Sequence, residues 1–232
     1  MNATLFALSD LPLRLVNAVL DLHVGGRRRE VFFDIDKTYP ALREIDRNAD
    51  AISAELVPLL SDWEGLPEYH DVDAAQRPIS SATPHRWKVF LLYAMGEKPA
   101  GNRQRCPQTC AVIDGMPDLF QAFFSFLEGG KSIPAHCGPY RGYLRYHLPL
   151  VVPARNPPSI RVKDVTHTWR ERESILFDDS WEHEVHNDAD ELRVVLIVDV
   201  LRPLPLPFHA LNRLVSVFIR YLYGRGLVQN LR

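Results

Sequence analysis

Apolar residues recur at helical spacing near both ends of this chain and at strand spacing through its second half. Residues 10–23 predict an amphipathic helix, with Asp10 as cap and Leu13, Val16, Val19 and Leu20 on one stripe, ending at Gly25-Gly26. A second helix is expected from Thr38 as cap, with Pro40 early, the stripe Leu42, Ile45, Ala49, Ile52 and Leu56, and Pro58 near its end. Residues 61–85 read as a polar loop, and 87–95 as an apolar, aromatic strand.

From about residue 105 the texture changes. Short helices are expected at 110–113 and 118–120, then strands near 122–128, 132–136, 142–151, 159–162, 173–177, 182–186 and 192–200. Gly129-Gly130, Asn156-Pro157-Pro158 and Asn187-Asp188 punctuate them. Short strands at this spacing predict a β-sandwich or barrel, with the helices packed outside the sheet. Residues 210–223 return to helical period. Leu211, Leu214, Val215, Phe218 and Leu222 share one face flanked by Arg213 and Arg220, a helix that either docks on the domain or touches a membrane or partner. The expected organisation is one globular unit: an N-terminal helical extension and first strand (1–104), a β core (105–205) and a C-terminal helix (206–232).

Composition bounds this picture. The 232 residues, 46% hydrophobic, suffice for one good core, and a net charge of −2 makes no general case for nucleic acid. Cys106, Cys110 and Cys137 are odd in number and lack a C-x-x-C spacing, which points to reduced thiols in a cytoplasmic setting. No run of apolar residues is long enough for a transmembrane helix, and the first residues lack the basic lead of a signal peptide. The Arg27-Arg28-Arg29 run reads as a solvated helix end or, alternatively, as a peripheral contact with anionic lipid at an inner membrane.

Chemistry concentrates in the strands. In residues 143–148 side chains alternate, so Arg145 and His147 share one face while Leu144, Tyr146 and Leu148 share the other. Arg193 opens a strand that is apolar on both faces, where a charge needs a partner. That partner is either a carboxylate such as Asp199 or Glu191, or an anionic ligand held by two parallel hydrogen bonds; spacing leaves both open. His136 and His183 are candidate metal ligands, but a histidine is more often a satisfied structural residue, and His183 between Glu182 and Glu184 also reads as a solvated strand end.

Four motifs resolve the ambiguity: His136-Cys137-Gly138-Pro139, Leu144-Arg145-Tyr146-His147-Leu148, the run Phe177-Asp178-Asp179-Ser180-Trp181-Glu182-His183-Glu184-Val185, and Arg193 to Asp199 followed by Arg202-Pro203. With the weaker Cys106-Pro107-Gln108-Thr109-Cys110, their order and spacing resemble the catalytic domain of the aspartyl/asparaginyl β-hydroxylase family over 125–203. The resemblance implies a mostly β fold with flanking helices around a double-stranded β-helix (jelly-roll, cupin-like) core. It also implies an Fe(II)/2-oxoglutarate-dependent dioxygenase that uses O2 to hydroxylate an unactivated C–H bond. His136 and His183 fall at the family's iron ligands, and Gly138 stands where most such oxygenases carry a ligating carboxylate. Arg145 and His147 match positions for the near end of 2-oxoglutarate. Arg193 and Ser125 match those for its distal carboxylate, and Asp179 matches a residue that supports metal-bound water; Asp178 is a weaker candidate for such a role. Similarity to the family favours an Asp or Asn β-carbon, in an amino acid or peptide, as substrate. The alternatives are an acyl chain of lipid A, hydroxylated at a membrane surface, and a non-catalytic β-sandwich binding module.

Overall fold

The computed structural model describes residues 3–231. Among the described residues, ten strands build two antiparallel sheets. They are β1 (Phe32–Phe33), β2 (Trp87–Ala94), β3 (Leu119–Leu127), β4 (Ile133–His136), β5 (Tyr143–Val151), β6 (Ser159–Val162), β7 (Val165–Thr168), β8 (Ile175–Phe177), β9 (His183–His186) and β10 (Arg193–Leu201). The main sheet runs β1-β8-β5-β10-β3-β2, and the second β4-β9-β6-β7. From β3 to β10 the chain alternates between the sheets, with β6 and β7 as the one hairpin within a sheet. That winding is a double-stranded β-helix, a jelly roll whose two sheets enclose an interior.

Strand β10 lies at the centre of the main sheet, and its period-two alternation separates two cores. Val194, Leu196, Val198 and Val200 face outward and join Leu144, Tyr146, Leu148, Phe124 and Phe126. Over them pack Leu42, Ile45, Ile52, Leu56 and Ile113 from the helices before β3, and burial of each such side chain contributes roughly 1.5–3 kcal/mol. Val195 and Ile197 face inward and meet Phe123, Phe177 and Val89, with Ile133, Ile160, Val162 and Val185 of the second sheet opposite. The inward side also carries Arg193 and Asp199. A third cluster closes one end of the β-helix: Leu20, Phe120, Tyr140, Tyr143 and Leu201 pack with Val16, Val215 and Ile219 of the two terminal helices.

Several sequence expectations are revised. The N-terminal helix spans Ala3–Val24, so Asp10 lies inside it and is not its cap. The stripe from Leu42 to Leu56 is buried as expected, but on a broken path of short helices, Arg43–Arg47, Ala49–Ala54 and Leu56–Ser61. Thr38 ends an earlier short helix, Ile35–Thr38, which Asp34 caps by accepting from the Lys37 amide at 3.2 Å. Residues 61–85 contain the short helices Tyr69–Val72 and Arg77–Ser80. No helix forms at 118–120: Asp118 turns with φ 49° and β3 starts at Leu119, where pairing to β10 outweighs local helical spacing. The hairpin β6–β7 was missed because Lys163, at φ 55°, makes its turn without a glycine.

The C-terminal helix spans Phe208–Ile219 and docks in a different orientation. Val215 and Ile219 turn inward beside fully buried Asn212, whose side-chain amide donates to Gly142 O at 2.7 Å and whose oxygen accepts from the Tyr140 hydroxyl. Leu214, Phe218 and Leu222 are left exposed. Cys106 and Cys110 are buried thiols, and burial pushes them up to about 12 and about 11; Cys137 is exposed. Among the described residues, no helix is long and apolar enough to cross a membrane.

Candidate active site

His136 ends β4 and His183 opens β9, and the two are register partners across the antiparallel ladder. This pairing brings their ring centroids to 4.2 Å. Each ring donates its Nδ1 proton to the carbonyl two residues before it, His136 to Pro134 at 2.9 Å and His183 to Trp181 at 2.8 Å. Both Nε2 lone pairs are therefore free for a cation, the usual arrangement of a metal-binding imidazole. Burial, reinforced by His183, pushes His136 down to about 4, so it is neutral at ordinary pH.

Asp179 stands beside this pair, its Oδ1 lying 3.3 Å from His183 Nε2. With Nδ1 committed as donor, His183 turns its Nε2 toward this carboxylate, so a cation on Nε2 would also be attracted by Asp179. The Tyr143 hydroxyl donates to Asp179 Oδ2 and Arg145 Nη1 donates to Oδ1 at 2.5 Å. Burial works to raise this carboxyl, but Arg145, His183 and the Tyr143 hydroxyl overcome it and hold it below the usual range. Gly138 explains how Asp179 fits. A Cβ built there falls on the Asp179 carboxylate and lies 2.6 Å from the Tyr143 hydroxyl, so the space beside the histidines admits Asp179 or a side chain at 138, not both. Among the described residues no group of three or more His, Cys, Asp and Glu side chains is spaced to hold a metal; the donors converging here are the two imidazoles. Two anchored imidazoles and an adjacent carboxylate fit a divalent iron, as they fit zinc, cobalt or nickel.

Behind the histidines the interior face is cationic. Arg193 is 1% exposed, its Nε is buried without a partner, and it lies 4.1 Å over the ring of Trp169. Neither Asp199 nor Glu191 pairs with it: Asp199 accepts from Arg145 Nε and Nη2, both at 2.8 Å. Desolvation alone pushes the Arg193 guanidinium down to about 9. His147 stacks on Trp169 and meets the edge of Phe177, and both of its ring nitrogens are buried without partners. Burial, then the charge of Arg193, holds it well below the usual histidine range. The indole Nε1 of Trp169 is also unpartnered. Ser125 faces the same interior, paired through Val195 and accepting from Trp87 Nε1 at 3.0 Å. A guanidinium, an imidazole and an indole N–H with no acceptor are groups that an anion would satisfy, since each unmet buried polar group costs about 1–3 kcal/mol.

All seven candidates thus lie around one interior: His136, His183 and Asp179 at its mouth, Arg145 between, and His147, Ser125 and Arg193 within. Three of the Arg145 nitrogens are taken by protein carboxylates, so in this structure it positions Asp179 and Asp199. Asp178 points elsewhere, joining Arg29 at 2.8 Å and Arg202 at 2.7 Å. Sequence reasoning missed Tyr143 and Trp169 altogether. Only the alternation of Tyr143 with Arg145 hinted at the first; for Trp169 there was no signal.

The sequence profile described as Aspartyl/Asparaginyl beta-hydroxylase matches residues 46–203. The ornithine lipid ester-linked acyl 2-hydroxylase of Rhizobium tropici is 42% identical over 176 residues, covering 75% of this chain and 62% of that protein. The human aspartyl/asparaginyl beta-hydroxylase is 35% identical over 167 residues, 70% of this chain and 21% of that one. The chain therefore spans about three fifths of the rhizobial relative and a fifth of the human one. A Pseudomonas putida prolyl-4-hydroxylase structure overlaps 67% of this chain and 88% of its own at TM-score 0.42 and 15% identity.

Proposed function

Because the chain belongs to the aspartyl/asparaginyl beta-hydroxylase family, we propose that it is an iron(II)- and 2-oxoglutarate-dependent oxygenase hydroxylating an unactivated C–H bond. The observation that carries this reading is the set of unmet buried donors on Arg193, His147 and Trp169 behind two imidazoles with free Nε2 atoms. Such a cluster of donors calls for a dianion that also reaches a metal, and 2-oxoglutarate is one.

His136 and His183 would hold the iron through Nε2. Iron(II) held there would supply the oxidising power with 2-oxoglutarate and O2 as co-substrates, so that one oxygen atom would enter the substrate as hydroxyl and the other succinate, with release of carbon dioxide. Everything else falls to the chain. Arg193 offers its guanidinium to the distal carboxylate, with the Ser125 hydroxyl beside it. His147, neutral, donates from one nitrogen toward the near end. Asp179, kept ionised by Arg145 and Tyr143, accepts a hydrogen bond from water or substrate next to the metal. The apolar wall of Phe177, Val195 and Ile197 keeps bulk water from the pocket.

For substrate, the rhizobial relative favours an acyl chain of a membrane lipid, and the human relative an Asp or Asn side chain. We favour the lipid, because identity to the rhizobial protein is higher over a similar stretch and because the terminal helices expose apolar side chains at the end of the β-helix that holds the site. The test supplies iron(II), 2-oxoglutarate and 18O2 with an ornithine lipid, lipid A and an Asp/Asn-containing peptide in turn. The expected result is a gain of one labelled oxygen on a lipid acyl chain with matching succinate, both lost in His183→Ala. Oxygen on the peptide alone would move the substrate to the second reading, and full turnover by His183→Ala would overturn the site.

A further inference from the structure

The terminal helices present a surface that the fold itself does not use. On the N-terminal helix Leu15, Val19 and Leu22 point to solvent, and Leu22 is 82% exposed. On the C-terminal segment Leu214, Val217, Phe218, Tyr221 and Leu222 do the same, with Leu222 at 85%. Side chains this exposed contribute nothing to the core, and grouped apolar exposure marks a binding surface. The two helices belong to one face of the molecule. His23 stacks on Phe208 with centroids 5.5 Å apart, and the inward sides of both helices meet in the cluster that contains Tyr143, the residue holding Asp179. The exposed surface therefore surrounds the end of the β-helix where the site sits.

Its charge leans positive: Asp21 on the N-terminal helix is paired with Arg141, and Glu30 after that helix is the one acid there with no ion pair among the described residues. After Asp199 the sequence has no Asp or Glu, while Arg202, Arg213, Arg220 and Arg225 follow. Asp118 and Glu97 reach this surface from the core, but Asp118 is shared by Arg213 and His209, and Glu97 by Arg220 and Arg225. Arg27 and Arg28 follow the N-terminal helix, are exposed, and make no ion pair among the described residues. A cavity of about 440 Å³ opens beside them, its charged lining being His23, Arg28, Arg29 and Arg202 together with one acid, Glu30. Two buried guanidiniums there, Arg29 and Arg202, share one carboxylate, Asp178.

We infer that the two terminal helices lay the protein on an anionic lipid surface, apolar side chains in the acyl boundary and arginines at the head groups, with the site end turned toward the bilayer. Apolar side chains rimmed by cations suit that boundary. A second copy would set like charges against each other. The inference deepens the lipid-acyl reading and rests on it for the substrate, whereas the surface stands on its own geometry.

The experiment is flotation of the full chain with phosphatidylcholine vesicles and with vesicles containing phosphatidylglycerol. Binding is expected to be about tenfold greater to the anionic vesicles, to weaken as salt rises, and to drop about tenfold in Phe218→Ser/Leu222→Ser. Both positions are exposed, so circular dichroism should be unchanged, and His183→Ala should float like the unaltered chain. No flotation, equal binding to both vesicles, or an unaffected double variant would overturn the proposal. So would a concentration-dependent dimer in sedimentation that the same double variant dissolves, since the face would then belong to a second copy. Turnover of a detergent-dispersed acyl lipid separates the two readings: if it persists while flotation fails, only the docking surface falls.

Discussion

Strand β10 serves two faces that are built on opposite terms. Outward, Val194, Leu196, Val198 and Val200 pack against the apolar stripe Leu42, Ile45, Ile52 and Leu56, and polar groups there are mostly paired, as the Tyr146 hydroxyl is with Asp46; Ser53 Oγ is the exception among the described residues of those helices. Inward, the same strand carries Arg193 and Asp199 among Val195 and Ile197, and Arg193, His147 and Trp169 leave donors without acceptors. The contrast separates stability from function within one sheet. A face that only stabilises is built of apolar contacts and satisfies nearly all its polar groups at folding. A face that binds leaves groups unsatisfied until the ligand arrives, and the outer face supplies the stability that tolerates them.

The comparison is broken most forcefully on the outer side. Leu196→Ala should destabilise the protein by about 2–5 kcal/mol in urea denaturation, yet leave the concentration of 2-oxoglutarate needed for half-maximal turnover unchanged. Inward, Arg193→Met should do the reverse. Without co-substrate it should be as stable as the unaltered chain or more so, by up to about 1–4 kcal/mol, because a buried charge with no partner has been removed. A large loss of stability would mean that Arg193 already has a protein partner.

Gly138→Ala probes the mouth. The added methyl meets Asp179, so a loss of about 1–3 kcal/mol is expected, relieved when Asp179→Ala is added. Absence of that coupling in a double-mutant cycle would dissociate the two residues. The smallest effect is on pH. His136, pushed down to about 4, and His147, held well below its usual range, stay neutral in the fold while their unfolded counterparts protonate near ~6.5. Stability of the metal-free protein is then complete above about 6.5 and falls as the pH drops toward 4, because the unfolded state binds more protons. His147→Phe should flatten this fall in thermal melts between pH 7 and 5.

The same two faces explain what was legible in the sequence. Alternation along β5 placed Arg145 with His147, and the apolar run of β10 marked a strand buried on both sides; both arise from local period. Whether Arg193 faced a carboxylate or a ligand was not local, because the competitor, Asp199, is claimed by Arg145 from the neighbouring strand. The His136–His183 pairing depends on the register of β4 with β9, which no spacing reveals. Motif resemblance supplied those positions instead. For the C-terminal helix, period left docking and outside contact both open, because its most buried residue is a polar one, Asn212, held by Tyr140 and Gly142, while Leu214, Phe218 and Leu222 of the apolar stripe face solvent.

The central claim is that the inner face is a dianion pocket waiting behind a two-histidine metal site. Its most direct test is an anaerobic titration of the iron(II)-loaded protein with 2-oxoglutarate, followed by the visible charge-transfer absorption of the chelate. The unaltered chain should saturate. Arg193→Met should need at least about tenfold more 2-oxoglutarate while binding iron unchanged, as expected for loss of a charge-assisted hydrogen-bonded pair. Equal titrations for the two proteins would contradict the account.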